Sequence, residues 1–218
     1  MEPKVARRPL KTREKNWPRA LAFRLVRLGL TPNQISVASA VISGIGALAL
    51  FAAGGWRTRY DAALFVVAAV CIQLRLLCNL LDGLMAVEGG LKTKAGEIFN
   101  EFPDRVADIL LLVSAGYAVR FDSAGAIELG YLAAIASVVT AYVRVFGGSA
   151  GLAQDYSGPM AKQQRMATLT IGCLLSAMET ILHWEHHVML LALGIIFVGS
   201  LFTAGRRTVR IARLLNAQ

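Results

Sequence analysis

Asn79–Asp108 reads NLLDGLMAVEGGLKTKAGEIFNEFPDRVAD and sets a run of polar residues between two long apolar segments. On a helix, Asn79, Asp82, Gly83 and Ala86 fall at i, i+3, i+4 and i+7 and share one face. Gly96, Asn100, Asp104 and Asp108 recur every fourth residue and form a second stripe. Between the stripes, Gly89, Gly90 and the basic pair Lys92 and Lys94 read as a turn. Two antiparallel helices joined there set carboxylate and carboxamide oxygens opposite each other. Small residues at 83, 86 and 96 let the backbones come close. Hard oxygen donors grouped in this way suit Mg2+, Mn2+ or Ca2+. The competing explanation is that these groups only pin two helices together. It is the weaker one, because ionisable residues in membrane helices are expensive and usually functional.

The segments outside this stretch predict an all-α polytopic membrane protein. Of 218 residues, 56% are hydrophobic and only 17% are charged, a balance that with long apolar runs points to membrane helices. Six spans are expected, near 33–53, 62–86, 97–119, 126–146, 166–182 and 188–202. Ahead of them, 13–28 reads as a juxtamembrane amphipathic helix, with Trp17, Leu21, Leu25 and Leu28 on one side and Arg19, Arg24 and Arg27 mostly elsewhere. Residues 1–12 are polar and basic and are expected to be poorly ordered. Gly29 ends the amphipathic helix, Thr31 is a natural N-cap and Pro32 a natural first-turn residue. The organisation is then 1–29 as basic tail and interfacial helix, 30–205 as the membrane domain, and 206–218 as a basic C-terminal tail.

The net charge of +9 gathers at the two ends and in alternate connections. That is the pattern of orientation in a bilayer rather than of a nucleic-acid surface, so no nucleic-acid partner is expected. Both termini, and the polar ends of the second and third spans, are assigned to the cytoplasmic side of an inner, cytoplasmic membrane. Cys71, Cys78 and Cys173 lie in apolar segments without a C-x-x-C pair and read as packing residues. In HWEHH, 183–187, adjacent histidines with a glutamate are a metal-binding pattern, but an interfacial loop is the better reading.

Arg75, one turn before Asn79, is positioned to pair with Asp104 or Asp108, or to hold an anionic substrate; pairing is favoured. Pro103 removes one backbone donor beside Asp104. Arg144, at the end of the fourth span, and Lys162 and Arg165, after the glycine-rich connection 147–159, are candidates for binding phosphate by charge-assisted hydrogen bonds. The competing reading is an ordinary cytoplasmic excess of basic residues.

The stretch resembles the signature of the CDP-alcohol phosphatidyltransferase family, D-x-x-D-G-x-x-A-R, eight residues, G-x-x-x-D-x-x-x-D. The matching positions are Asn79, Asp82, Gly83, Ala86, Val87, Gly96, Asn100 and Asp104, with the eight-residue gap 88–95 kept. The run TPNQIS, 31–36, is a second family feature, and the likeness extends over about residues 30 to 205. Asn79 and Asn100 stand where the signature has aspartates, and Val87 where it has arginine. An amide oxygen can ligate a metal but brings no negative charge. The resemblance implies that Asp82, Asn79, Asn100 and Asp104 ligate Mg2+ or Mn2+, a pair of ions in the family's four-aspartate form, and that Asp104 is the catalytic base. It implies that Gly83, Ala86 and Gly96 admit the nucleotide; apart from the resemblance, Asp108, Glu97 and Glu101 lie near enough in sequence to be auxiliary sources of the missing charge. It further implies a CDP-linked lipid as donor, an alcohol as acceptor, contact with membrane lipids, and a homodimer. Two other classes are weighed against this one. The substitutions motivate a catalytically silent relative that binds lipid or nucleotide. The intramembrane charges motivate a small transporter, against which stand the lack of a clear internal repeat and the gathering of polar residues at one end of the spans.

Overall fold

The computed structural model describes residues 16–56, 60–91, 96–122, 124–184 and 187–217, and for residues 55, 56, 88, 97 and 100 the backbone alone. The expectations for residues 1–12, for Arg57 and Arg59, for Lys92 and Lys94, and for Glu185 and His186 fall outside the described residues. The described residues form α-helices and no strands: α1 (Asn16–Arg27), α2 (Pro32–Trp56), α3 (Tyr60–Glu88), α4 (Gly96–Ala118), α5 (Ala126–Ser149), α6 (Lys162–Ile181) and α7 (His187–Leu215).

The helix ends follow local chemistry. Gly29 takes φ 79°. Its N–H donates to Val26 O at 2.9 Å and the Leu30 N–H to Leu25 O at 3.1 Å, which closes α1 with the paired bonds of a glycine-terminated helix. Thr31 then opens α2 reciprocally with Gln34: the Gln34 N–H donates to Thr31 Oγ1 and the Thr31 N–H to Gln34 Oε1. At the far end of α3, Gly90 adopts φ 67° and stops the helix just before the turn.

α2 packs on α3 and α4, α4 on α5, α5 on α7, α7 on α6, and α6 back on α3, so six helices close a ring. Leu50, Phe65, Leu111, Leu112, Met166, Leu169 and Leu193 meet in one core with no exposed surface. The outward faces are apolar too. Val37, Val41, Ile45 and Leu48 run down the outside of α2, and Leu191, Ile195, Val198 and Phe202 down α7, all exposed. In water such stripes would be a liability; against lipid tails they are the expected surface. Four helices, over Pro32–Gly54, Tyr60–Val87, Ala126–Ser149 and His187–Leu215, are long and apolar enough to cross a membrane. The chain is an integral membrane protein. α4 and α6 have 23 and 20 residues, but each starts with charged side chains that lower its mean hydropathy.

Two expectations change in detail. The expected tail 206–218 is for the most part the last turns of α7, which runs unbroken to Leu215. Arginines are good helix formers, and Arg207 is buried, donating to Thr140 O and Ser157 O at 2.9 Å each. The apolar run stops near 202, but the helix does not. In α1, Ala22 is buried and Leu21, Leu25 and Val26 pack on Leu80, Leu81, Leu84 and Met85 of α3. The amphipathic helix therefore docks on the bundle through its middle, while Trp17 and Leu28 stay exposed.

Close packing depends on glycine at particular places. A Cβ on Gly116 of α4 would lie 2.5 Å from Ala126 O of α5. One on Gly46 would lie 2.9 Å from Cys71 Cβ, whereas one on Gly44 meets nothing within 4 Å. Gly116→Ala is expected to cost about 1–3 kcal/mol and to lower the unfolding temperature in detergent, while Gly44→Ala should not. Equal shifts from both would remove the α4–α5 close approach as the cause.

Candidate functional site

The polar residues of α3, α4 and α6 meet at one end of the ring. Arg75, Asn79 and Asp82 lie one helical turn apart along α3. Asp104 and Asp108 lie one turn apart on α4, and Lys162 and Arg165 on the first turn of α6. Asn79 Nδ2 donates to Asp104 Oδ1 at 2.8 Å, so the two stripes read from the sequence do face each other. Asp82, three residues on from Asn79, and Asp104 belong to these two helices, α3 and α4. Both are buried, Asp82 4% and Asp104 8% exposed.

Two depths can be distinguished. At the deeper level Asp108 has no exposed surface and is held by two guanidiniums: Arg75 Nη2 donates to Oδ1 at 2.5 Å and Arg165 Nη2 to Oδ2 at 2.7 Å. Arg75 also donates to the Asp104 backbone oxygen at 3.0 Å, and Arg165 to Met160 O at 3.3 Å. Arg75, Arg165 and Asp108 therefore tie α3, α6 and α4 together, the pairing expected of Arg75. The shallower level holds Asp104. Its Oδ2 accepts a short hydrogen bond from Lys162 Nζ, its Oδ1 is 3.4 Å from Arg75 Nη2, and Arg105 Nη2 lies 3.7 Å away.

Arg144 of α5, expected beside this cluster, is at its rim. It donates to Glu101 Oε2 of α4 at 2.5 Å and to Gln154 Oε1 at 2.6 Å, and stacks over Tyr156 at 5.0 Å. The three candidate phosphate-binding cations thus each have a partner: Arg144 has Glu101, Lys162 has Asp104, and Arg165 has Asp108. The loop carrying Gln154 is fixed from α7, where Arg210 Nη1 is 3.2 Å from Asp155 Oδ2. Burial raises the Asp155 carboxyl, but the Ser157 hydrogen bonds and the charges of Arg210 and Arg207 outweigh it and hold the group below its ordinary range. Gly83, Ala86 and Gly96 are half-buried at the same end. Glu97 and Asn100 lie on the first turns of α4, but their side chains fall outside the described part.

Two residues not singled out from the sequence join the site, Ser36 having entered only within the TPNQIS run. Ser36 Oγ donates to Asp82 Oδ2 at 2.7 Å and Ser39 Oγ to Asn79 Oδ1 at 2.9 Å. Both come from the first turns of α2, and both are buried. Their spacing with Ser43, on one face of an otherwise apolar helix, was the signal.

Among the described residues, no three His, Cys, Asp or Glu side chains come together as a metal cage. What is present is a smaller donor set: two carboxylates, Asp82 and Asp104, and the Asn79 amide between them. Mg2+ keeps several waters and is commonly held by one or two carboxylates together with substrate phosphates, and this set fits such an ion. For Asn79 to ligate through Oδ1 its amide must turn over, and Ser39 Oγ can accept from Nδ2 in that orientation.

A helical membrane bundle with facing carboxylates, amides and cations at one end is the class that fold and site define. Residues 29–201 match the CDP-alcohol phosphatidyltransferase family. Among curated proteins, the phosphatidylinositol phosphate synthase of Mycolicibacterium smegmatis is 28% identical over 188 residues, covering 84% of this chain and 79% of that one. The inner membrane protein YnbA of Escherichia coli is 25% identical over 147 residues, covering 67% of this chain and 68% of its own. Among solved structures, phosphatidylinositol phosphate synthase of Mycobacterium tuberculosis with CDP-DAG bound superposes with a TM-score of 0.75 at 22% identity, over 90% of this chain and 94% of that one. The same enzyme in complex with manganese and citrate gives 0.74, over 89% and 88%. These structures share the fold. The chain belongs to the CDP-alcohol phosphatidyltransferase family, and that membership makes it a transferase of phospholipid biosynthesis.

Proposed function

We propose that this chain transfers a phosphatidyl group from a CDP-linked lipid such as CDP-diacylglycerol to an alcohol, with release of CMP. One observation carries the reading: Asn79 of α3 hydrogen-bonds Asp104 of α4 at the polar end of a bundle whose outer faces are apolar. A lipid-linked nucleotide needs both environments, one for its tails and one for its phosphates. The CDP-DAG in the Mycobacterium tuberculosis structure supports the donor class.

Asp104 takes the proton from the acceptor hydroxyl. The alcohol oxygen attacks the phosphorus that carries the diacylglycerol oxygen, and the bond from that phosphorus to CMP breaks. Asp82, Asn79, Asn100 and Asp104 would hold Mg2+ or Mn2+, and manganese in the related structure supports this. When bound, the ion supplies charge that neutralises the pyrophosphate and stabilises the departing nucleotide. Gly83, Ala86 and Gly96 leave room for the nucleotide near the backbone. Arg75 holds Asp104 in place through its backbone and carboxylate. Arg144 and Lys162 would meet the phosphate of a phosphorylated acceptor by exchanging their present carboxylate partners, while Arg165, sealed on Asp108, would add its charge from beneath.

The domain spans about 30–205 and crosses the bilayer six times, with α4 and α6 as the two more polar spans. Both termini and the site face the cytoplasm, supported by the basic residues of 1–29, 162–165 and 206–213 against few in the intervening connections. The homodimer rests on the family resemblance alone.

CMP release from CDP-diacylglycerol in lipid nanodiscs, with Mg2+ or Mn2+ and a panel of glycerol phosphate, inositol phosphate, serine and inositol, is expected to give turnover with at least one acceptor. The cations already resting on Asp104 favour a second reading, a silent relative that binds donor without turnover. Donor binding with no CMP released for any acceptor would select it.

A further inference from the structure

We infer that this site takes one divalent cation, not two, and that the Lys162 ammonium supplies the second positive charge from within the protein. The inference rests on the transferase reading and concerns how this chain's own residues meet the metal.

The charge of the donor set argues for it. At the polar end, three buried carboxylates among the described residues lie between α3 and α4, Asp82, Asp104 and Asp108, while Glu101 is paired with Arg144. Asp108 is not available, because it has no exposed surface and both of its oxygens are taken by Arg75 and Arg165. That leaves two negative charges, Asp82 and Asp104. The other oxygen-bearing positions of the two stripes, Asn79 and Asn100, are neutral in this chain. Against those two charges stands a resident cation, Lys162, paired with Asp104 Oδ2. Arg75 lies 3.4 Å from Oδ1 of the same carboxylate. One divalent ion already brings the set to an excess of positive charge. A second, with neutral amides for ligands and an ammonium beside it, would meet repulsion in a site sheltered from water, where charge interactions are strongest.

The geometry also separates two ends of the donor set. Among the described residues, the side-chain hydrogen bond to Asp82 comes from a hydroxyl: Ser36 Oγ donates to Oδ2 at 2.7 Å. A hydroxyl does not compete with a cation for charge, so the Asp82 side is the side open to a metal. Asp104 Oδ2 is the side filled by Lys162. A lysine ammonium there can donate to a phosphate oxygen or to the carboxylate, and needs no ion to recruit it. The two neutral positions and the resident ammonium are then one adaptation rather than separate losses.

Mn2+ titration of the full chain in nanodiscs tests this, with the signal of free Mn2+ read by electron paramagnetic resonance. The wild type is expected to bind one Mn2+ per chain. N79D/N100D is expected to bind two, with the spin coupling of neighbouring ions, and K162Q to bind its single ion at least about tenfold more tightly, because Asp104 is no longer shared. The wild-type count needs no variant to fold. Two coupled ions in the wild type, no ion bound, or an unchanged affinity in K162Q would each overturn the inference. CMP release in the same samples separates the claims. Two ions with turnover sink the one-ion inference and keep the transferase reading. One ion with no turnover for any acceptor supports the one-ion inference and sinks the activity.

Discussion

Asp104→Asn is expected to lower CMP release by about a hundred- to ten-thousandfold, the range for removing a general base. The carboxamide keeps the size of the side chain and can still accept from Lys162 and Arg75. It cannot take a proton from an alcohol. Asp104→Ala should be at least as inactive, but it also leaves the Lys162 ammonium without its partner in a buried site, so loss of activity there mixes chemistry with folding. The asparagine variant is therefore the cleaner measurement, made with saturating Mn2+ and with elution profile and unfolding temperature as controls. Wild-type turnover from a well-folded Asp104→Asn protein would take the base assignment away from this residue.

The largest effect on stability is expected from Asp108→Ala, at about 3–5 kcal/mol, the cost of breaking a buried pair by removing one member. Asp108 touches Arg75 from α3 and Arg165 from α6, and all three side chains are essentially without exposure. Removing the carboxylate takes from Arg165 its carboxylate partner and leaves Arg75 the longer contact to Asp104 at 3.4 Å. Among the described residues the Nε atoms of both arginines have no hydrogen-bond partner, so the two guanidiniums are already short of acceptors. A marked fall in unfolding temperature, or failure to recover folded protein, is the expected outcome. Arg165→Met should cost less, because Asp108 keeps Arg75. An Asp108→Ala protein that melts like the wild type would mean that this trio does not tie the three helices together.

The two predictions divide the α4 stripe by function. Asp104 and Asp108 are one turn apart and identical in type, and helical periodicity alone does not distinguish them. One is at the shallower, chemically accessible level and the other is sealed. That difference comes from α6, which places Lys162 against the first and Arg165 against the second. α6 is 58 residues along the chain from Asp104 at the Lys162 contact, and no local pattern carries such a pairing.

Several features were legible before any coordinates. The helical stripes of Asn79–Asp82 and Asn100–Asp104 follow from a period that sequence displays directly, and the Asn79–Asp104 hydrogen bond meets that expectation. Gly29, Thr31 and Pro32 mark a helix boundary because capping is a matter of a few adjacent residues. Other features were not. Hydropathy stops near residue 202, and so did the expected final span, but helix continuation depends on backbone bonding and on Arg207 finding Thr140 O and Ser157 O. The hydrogen bonds of Ser36 and Ser39 are not legible in sequence, because they exist only once α2 lies against α3. Arg144, Lys162 and Arg165 were grouped by charge; folding gives each a different carboxylate.

By itself the amino-acid sequence determined the helical membrane class, the two oxygen-bearing stripes and the family, because periodicity, apolar length and motif spacing are all short-range properties of a chain. Only the tertiary structure decided which carboxylate is sealed, which cation rests on which oxygen, and how much charge is left for a metal. Those depend on the distances between helices far apart in sequence, and Coulomb energies in a site sheltered from water are set by such distances.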